Sequence, residues 1–143
     1  MKVMREWPDE FVHCIVTSPP YWALRDYGVP GQYGMESRME NYISKMVEVF
    51  RESRRILKKD GTLWLNLGDS YAKGGGKQVL QTKNASHVLA GMRAATPGFK
   101  PKQMLGVPWR VAFALQDDGW YLRSDIIYSK SNPMPESVTD RPT

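Results

Sequence analysis

Residues 11–22 read FVHCIVTSPPYW. Phe11 to Thr17 is a short, mostly apolar, β-rich run, so it reads as a buried strand, and Ser18, Pro19 and Pro20 stop it in a rigid turn. Further along, Asn41 opens a run with Ile43, Met46, Val47, Phe50 and Leu57 at helical spacing, with Lys45, Glu48, Arg51, Glu52 and Arg55 on the opposite face. Lys58, Lys59 and Gly61 supply a C-terminal stop to this amphipathic helix. Thr62 to Leu67 (TLWLNL) reads as a second apolar strand, closed by Gly68 and Asp69. Pro108 starts a second helix through Val111, Ala112 and Leu115 to a glycine stop at Gly119, and a third strand is expected over Trp120 to Tyr128.

Strand, helix, strand, long loop, helix, strand is an α/β order. It predicts three mainly parallel strands joined by right-handed crossovers, with helices packed on them. In such sheets ligands sit at the carboxyl ends of the strands, which here carry TSPPYW and NLGDSY.

Composition bounds the function. The chain has 143 residues, enough for one ordinary domain and too few for a two-domain enzyme. No apolar run approaches the roughly 20 residues that span a bilayer, and MKVMREWPDE turns polar before a signal-peptide core forms, so the chain reads as cytoplasmic with no membrane partner. Cys14 has no second cysteine to pair with, and His13 and His87 are too few for a zinc site, so no metal is expected. The net charge of +5 is unevenly spread: Lys73, Lys77, Lys83, Arg93, Lys100, Lys102 and Arg110 follow one another without an intervening Asp or Glu. Most of them fall in an aperiodic stretch of about residues 70–102, which reads as a long, mobile basic loop. Two readings of it stand: contact with DNA phosphates, or a solvated surface.

The turn itself has a physical reading. Two prolines hold the backbone stiffly, pointing the Pro19 carbonyl and the Ser18 hydroxyl into one space, with the flat rings of Tyr21 and Trp22 beside them. Acceptors beside a stacking wall suit a planar amine such as a nucleobase; packing of both rings on the core is the plainer alternative. Asp69 likewise divides between facing a cofactor or base and capping a turn or helix. His13 and Cys14 read as core residues. Gly76-Lys77 lacks P-loop spacing, Ser70 and Lys73 match S-x-x-K by accident, and the sequon at Asn84 means nothing without secretion.

TSPPYWALRDYG at 17–28 resembles the catalytic motif of the DNA amino-methyltransferases, which modify cytosine N4 or adenine N6. The later stretches RRILKKDG, GTLWLNLGDSYA and LGVPWRVAFALQDDGWYLRSDIIYSKSNPMPESVTDRPT resemble the same family in the same order, over nearly the whole chain. The resemblance implies a Rossmann-like fold of the permuted subgroup, with the catalytic motif first, and S-adenosylmethionine as methyl donor. It implies that Ser18 and the Pro19 carbonyl accept the hydrogens of the target amine, with Pro20 shaping the turn and Tyr21 stacking on the extruded base. Thr17 and Asp69 would lie near the cofactor, and Trp22 and the basic loop (Lys73, Lys77, Lys83, Arg93, Lys100, Lys102) would contact double-stranded DNA. Ser rather than Asp at position 18 favours cytosine N4. No FxGxG-like cofactor turn is present in residues 1–143, so the chain reads as the catalytic-motif half of a methyltransferase domain, without the cofactor glycine motif or a target-recognition region. The rival reading is a non-catalytic DNA-binding remnant or one subunit of a split enzyme. Either way an unfinished sheet is expected to self-associate and to bind cofactor weakly.

Overall fold

The computed structural model describes residues 2–74 and 96–132. Its elements run α1 (Lys2–Arg5), β1 (Val12–Thr17), α2 (Met39–Ile56), β2 (Leu57–Leu65) and α3 (Val107–Asp117). The architecture is α/β: β1 and β2 form a two-stranded parallel sheet with packed helices, consistent with a Rossmann-like methyltransferase fold. The chain divides into two compact units, one of Met1–Ser70 with Gly106–Trp120 and one of Tyr71–Leu105 with Tyr121–Thr143.

In the first unit the β–α–β crossover follows the expected pattern, with one shift of boundary. Helix α2 passes into β2 without a loop, Leu57 being both the cap residue and the first strand residue. Between the pairs Val12↔Leu57 and Cys14↔Thr62 the register slips, so Lys58 to Gly61 bulge from the ladder. A Cβ on Gly61 would meet Leu57 Cγ at 2.6 Å and the His13 carbonyl at 2.9 Å, which only glycine avoids. The lysine–glycine stretch read as a helix stop is therefore a bulge inside a longer strand.

The core lies where α2 meets α3. Tyr42, Met46, Phe50 and Ile56 line one side of α2, and Val111 and Leu115 one side of α3; all six are buried. Each large side chain removed from water in this way contributes roughly 1.5–3 kcal/mol. Arg51 pairs with Asp118 at the end of α3, and Arg54 donates to the Asp118 carbonyl. The short α1 is tied down by Arg55, which donates to the Met4 carbonyl at 2.7 Å and the Trp7 carbonyl at 3.0 Å.

Two expectations about strands are corrected. Neither β1 nor β2 is buried on both faces: Cys14, Val16, Thr62 and Trp64 share one exposed face, with Val16 78% and Trp64 52% accessible. The third strand, expected over Trp120 to Tyr128, is absent among the described residues, where 121–130 carry no ladder pairing. Its apolar residues fall on both parities (Tyr121 and Leu122, Ile126 and Ile127), and all of these are exposed. Such a sequence suits a strand with neighbours and covered faces, and without a hydrogen-bonding partner the propensity alone forms no strand.

In the second unit, Tyr71 bridges antiparallel to Met104, and Ala72 exchanges backbone bonds with Gln103 (2.7 Å) and Lys102 (2.9 Å). Lys73 pairs with Thr96 through two bonds of 3.1 and 3.2 Å. The stretch read as an aperiodic loop thus has a hydrogen-bonded stem. Residues 75–95, with Lys77, Lys83 and Arg93, lie outside the described residues, and so does the expectation that the loop is mobile there.

Candidate functional site

The site grows from the C-terminal end of β1. The Thr17 carbonyl accepts the Asn66 N–H at 2.9 Å, so the parallel ladder runs to the last residue before the turn. Pro19 and Pro20 have no N–H to give, and the chain leaves the sheet there. Ser18 is exposed, while Pro19, Pro20 and Tyr21 are half-buried. The Ser18 hydroxyl lies 3.3 Å from the Tyr21 hydroxyl, long for such a pair. The Tyr21 ring lies on Gly68 just beyond β2, where an added Cβ would sit 2.6 Å from Tyr21 Cε2. The structure therefore brings Thr17, Ser18, Pro19, Pro20 and Tyr21 together with Gly68 at the carboxyl ends of the two strands.

Asp69 follows Gly68, and its role is visible in its bonds. One carboxylate oxygen accepts the Gly106 N–H at 2.9 Å; the other accepts those of Val107 at 3.0 Å and Ser70 at 2.8 Å. Helix α3 begins behind Gly106 at φ +69°, a cap residue with no side chain to satisfy the free N–H groups of the first turn. Asp69 supplies the missing acceptor and a negative charge at the positive end of the helix. This is the capping alternative, built from another part of the chain.

Behind the turn lies a second set of residues. Tyr42, buried on α2, donates its hydroxyl hydrogen to the Pro20 carbonyl at 3.0 Å. Burial, then the charge of Glu36 and the neighbouring Tyr21, push the Tyr42 hydroxyl up to about 12, so it remains a donor at neutral pH. Ala23 donates its N–H to the Gly34 carbonyl at 2.7 Å, and a Cβ on Gly34 would lie 2.7 Å from the Tyr21 carbonyl oxygen. Glu36 is nearly buried and accepts the Gly34 N–H at 2.9 Å, with Lys45 paired to its other oxygen at 3.0 Å.

Trp22 corrects an expectation. It is 7% exposed, with its indole N–H donating to the Glu36 carbonyl at 2.9 Å, so it packs in the core and offers no face to a base or phosphate. Tyr42, Gly34 and Glu36 were not legible as site residues. Tyr42 lies one residue past the expected helix start at Asn41, and only tertiary contact places its hydroxyl at the turn. An open cavity of about 260 Å³ is lined by Asp26, Gln32, Glu36 and Lys45 among others, on the flank of this loop and away from Ser18. Of the remaining basic candidates, Lys100 and Lys102 are exposed and Lys73 half-buried, all in the second unit. Among the described residues no three His, Cys, Asp or Glu side chains cluster as metal ligands, and no helix is long and apolar enough to cross a membrane.

A strand ending in an SPPY turn with an exposed serine, and with the tyrosine ring laid on Gly68 just beyond the neighbouring strand, is the feature to set beside known proteins. Residues 12–143 match the family model described as DNA methylase, of the N6 and N4 type. This chain belongs to the DNA methylase family. It is 54% identical to the Type II methyltransferase M.Cfr9I of Citrobacter freundii, over 100% of this chain and 48% of that protein. It is 57% identical to the Type II methyltransferase M.SmaI of Serratia marcescens, over 94% of this chain and 46% of that protein. A third relative, M.XycI of Xanthomonas campestris pv. cyanopsidis, is 53% identical over 99% of this chain and 48% of its own length. The chain thus spans about half the length of these relatives. No solved structure matches it.

Proposed function

We propose that this DNA methylase segment carries the amine-acceptor site of a methyltransferase that modifies the exocyclic amine of a base extruded from double-stranded DNA, as part of a restriction-modification system. The observation that carries this reading is the exposed Ser18 hydroxyl on a double-proline turn at the end of β1, with the Tyr21 ring beside it. The lone pair of an exocyclic amine is delocalised into the ring, which makes the nitrogen a poor nucleophile. In this reading Ser18 Oγ and the Pro19 carbonyl accept the amine hydrogens and turn the lone pair out of the ring plane, while Tyr21 holds the base by stacking. S-adenosylmethionine supplies the electrophilic methyl group when bound. With it bound, the amine nitrogen would take up the methyl carbon as the carbon–sulfur pair returns to sulfur, and the surplus amine proton would leave to solvent. Positioning and electrostatics then carry the rate.

The described residues fit the acceptor amine better than the cofactor. Thr17, half-buried at the end of β1, is the residue that would lie along the methyl donor. Asp69 has both carboxylate oxygens bonded to backbone N–H groups, so it serves the site by fixing α3. Cytosine N4 is favoured over adenine N6 because Ser occupies position 18, as the family resemblance implies. The test is transfer of labelled methyl groups to DNA from a methylation-deficient host by the full-length protein containing this segment. Label in the exocyclic amine, lost in Ser18→Ala, supports the reading; label elsewhere in the base, or none, refutes it.

A further inference from the structure

The Pro20 carbonyl of the double-proline turn is met by a side chain from α2. Pro20 has its φ fixed by its ring and its preceding peptide fixed by planarity. Between the Pro19 carbonyl and the backbone N–H of Tyr21, one soft torsion remains: ψ of Pro20. That torsion decides where the Pro20 carbonyl points, and this carbonyl accepts the hydroxyl hydrogen of Tyr42 at 3.0 Å. Tyr42 has no freedom to follow a moving turn, since its side chain is fully buried among the core residues of an 18-residue helix. On the far side, Gly34 approaches the Tyr21 carbonyl so closely that a Cβ there would lie at 2.7 Å. Glu36 holds Gly34 through its N–H and holds Trp22 through its indole.

We infer that Tyr42 is a positioning residue for methyl transfer: its hydrogen bond to the Pro20 carbonyl sets the angle between the amine-accepting Pro19 carbonyl and the stacking ring of Tyr21. This rests on the reading of Ser18, Pro19 and Tyr21 given above. The Tyr42 hydroxyl meets the Pro20 carbonyl, between the residues proposed to accept the amine and to stack on the base, and acts through them. Its hydrogen stays in place through neutral and mildly alkaline pH, because burial holds the group protonated.

The experiment uses the full-length protein containing this segment, with labelled S-adenosylmethionine and DNA from a methylation-deficient host, and counts active sites by burst titration. Tyr42→Phe keeps the buried ring and removes one oxygen. It is expected to lower kcat per active site about 10-fold, as a displacement of the reacting groups by a fraction of an ångström does, while KM for DNA and for cofactor stays within about twofold. A purely structural role would lower the number of active sites and leave kcat per site unchanged; that result overturns the proposal. If Tyr42→Phe fails to fold, replacement of Tyr42 by 3,5-difluorotyrosine decides, since it keeps the ring and hydroxyl and alters only the strength of the bond to the Pro20 carbonyl: a changed kcat per active site with KM unchanged supports the proposal, and an unchanged kcat overturns it. Ser18→Ala is measured in parallel. Loss of turnover in Ser18→Ala with none in the variant that decides removes Tyr42 alone, whereas full turnover in both removes the functional reading as well.

Discussion

At the scale of single residues, the proposed chemistry rests on Ser18, the Pro19 carbonyl and Tyr21. Ser18→Ala is expected to lower turnover by about 100-fold, the typical cost of removing one preorganised polar group, and Tyr21→Ala by the factor that corresponds to the roughly 1–3 kcal/mol of base stacking on one aromatic ring, each with a much smaller change in cofactor affinity. Steady-state kinetics beside cofactor titration checks this, and near-wild-type rates in both would remove them from the mechanism. A second residue-scale prediction concerns alkaline pH. The Tyr42 hydroxyl is raised in the folded protein from 10.0 to about 12, so above pH 10 the unfolded chain releases a proton that the folded one keeps. Stability should therefore fall between pH 10 and about 12, less steeply in Tyr42→Phe; equal slopes in urea titrations would contradict the assignment. At this scale the place of the proline turn was legible, because two prolines end a strand whatever surrounds them. Trp22 was misread because a tryptophan beside a tyrosine says nothing about which ring faces inward. Tyr42 escaped because a hydrogen bond across 22 positions has no local signature.

At the scale of elements, the β1–α2–β2 unit was readable from periodicity alone, since apolar spacing switches from strand to helix and back. What failed was punctuation. Lys58 to Gly61 carries the composition of a turn but bulges within β2, where the partner strand fixes its path. The segment 120–128 has the composition of a strand and no ladder, because strand formation needs a neighbour that local sequence does not supply. Helix α3 gives the clearest element-scale prediction. Its cap, Gly106, has no side chain, and Asp69 supplies the acceptor for Gly106 and Val107, so Asp69→Ala should destabilise the fold by about 1–2 kcal/mol, as loss of a capping side chain does. Urea unfolding measures this; an unchanged midpoint would mean that α3 does not depend on the carboxylate. At the far end of α3, the hydrogen bond and charge of Arg51 hold Asp118 below the ordinary carboxylate range. That pair therefore contributes fully above about pH 4 and is lost as pH falls further.

At the scale of the molecule, a parallel sheet with Val16 and Trp64 accessible on one face is unusual, since parallel sheets are ordinarily covered on both. The 143-residue chain on its own is accordingly expected to self-associate; sedimentation showing a stable monomer at tens of micromolar would oppose this. The basic stretch makes a separate prediction. If Lys73, Lys77 and Lys83 meet DNA phosphates, replacing all three with Ala should flatten the salt dependence of binding by a slope of roughly 0.9 for each phosphate no longer neutralised. An unchanged slope leaves them as surface charge. Whether this segment presents an exocyclic amine for methylation is decided by digesting DNA treated with the full-length protein and identifying the methylated nucleoside by mass spectrometry. The expected product is N4-methylcytosine that disappears in Ser18→Ala; N6-methyladenine would overturn the choice of base, and methylation at a ring carbon, or N4-methylcytosine undiminished in Ser18→Ala, would contradict amine presentation by this turn altogether.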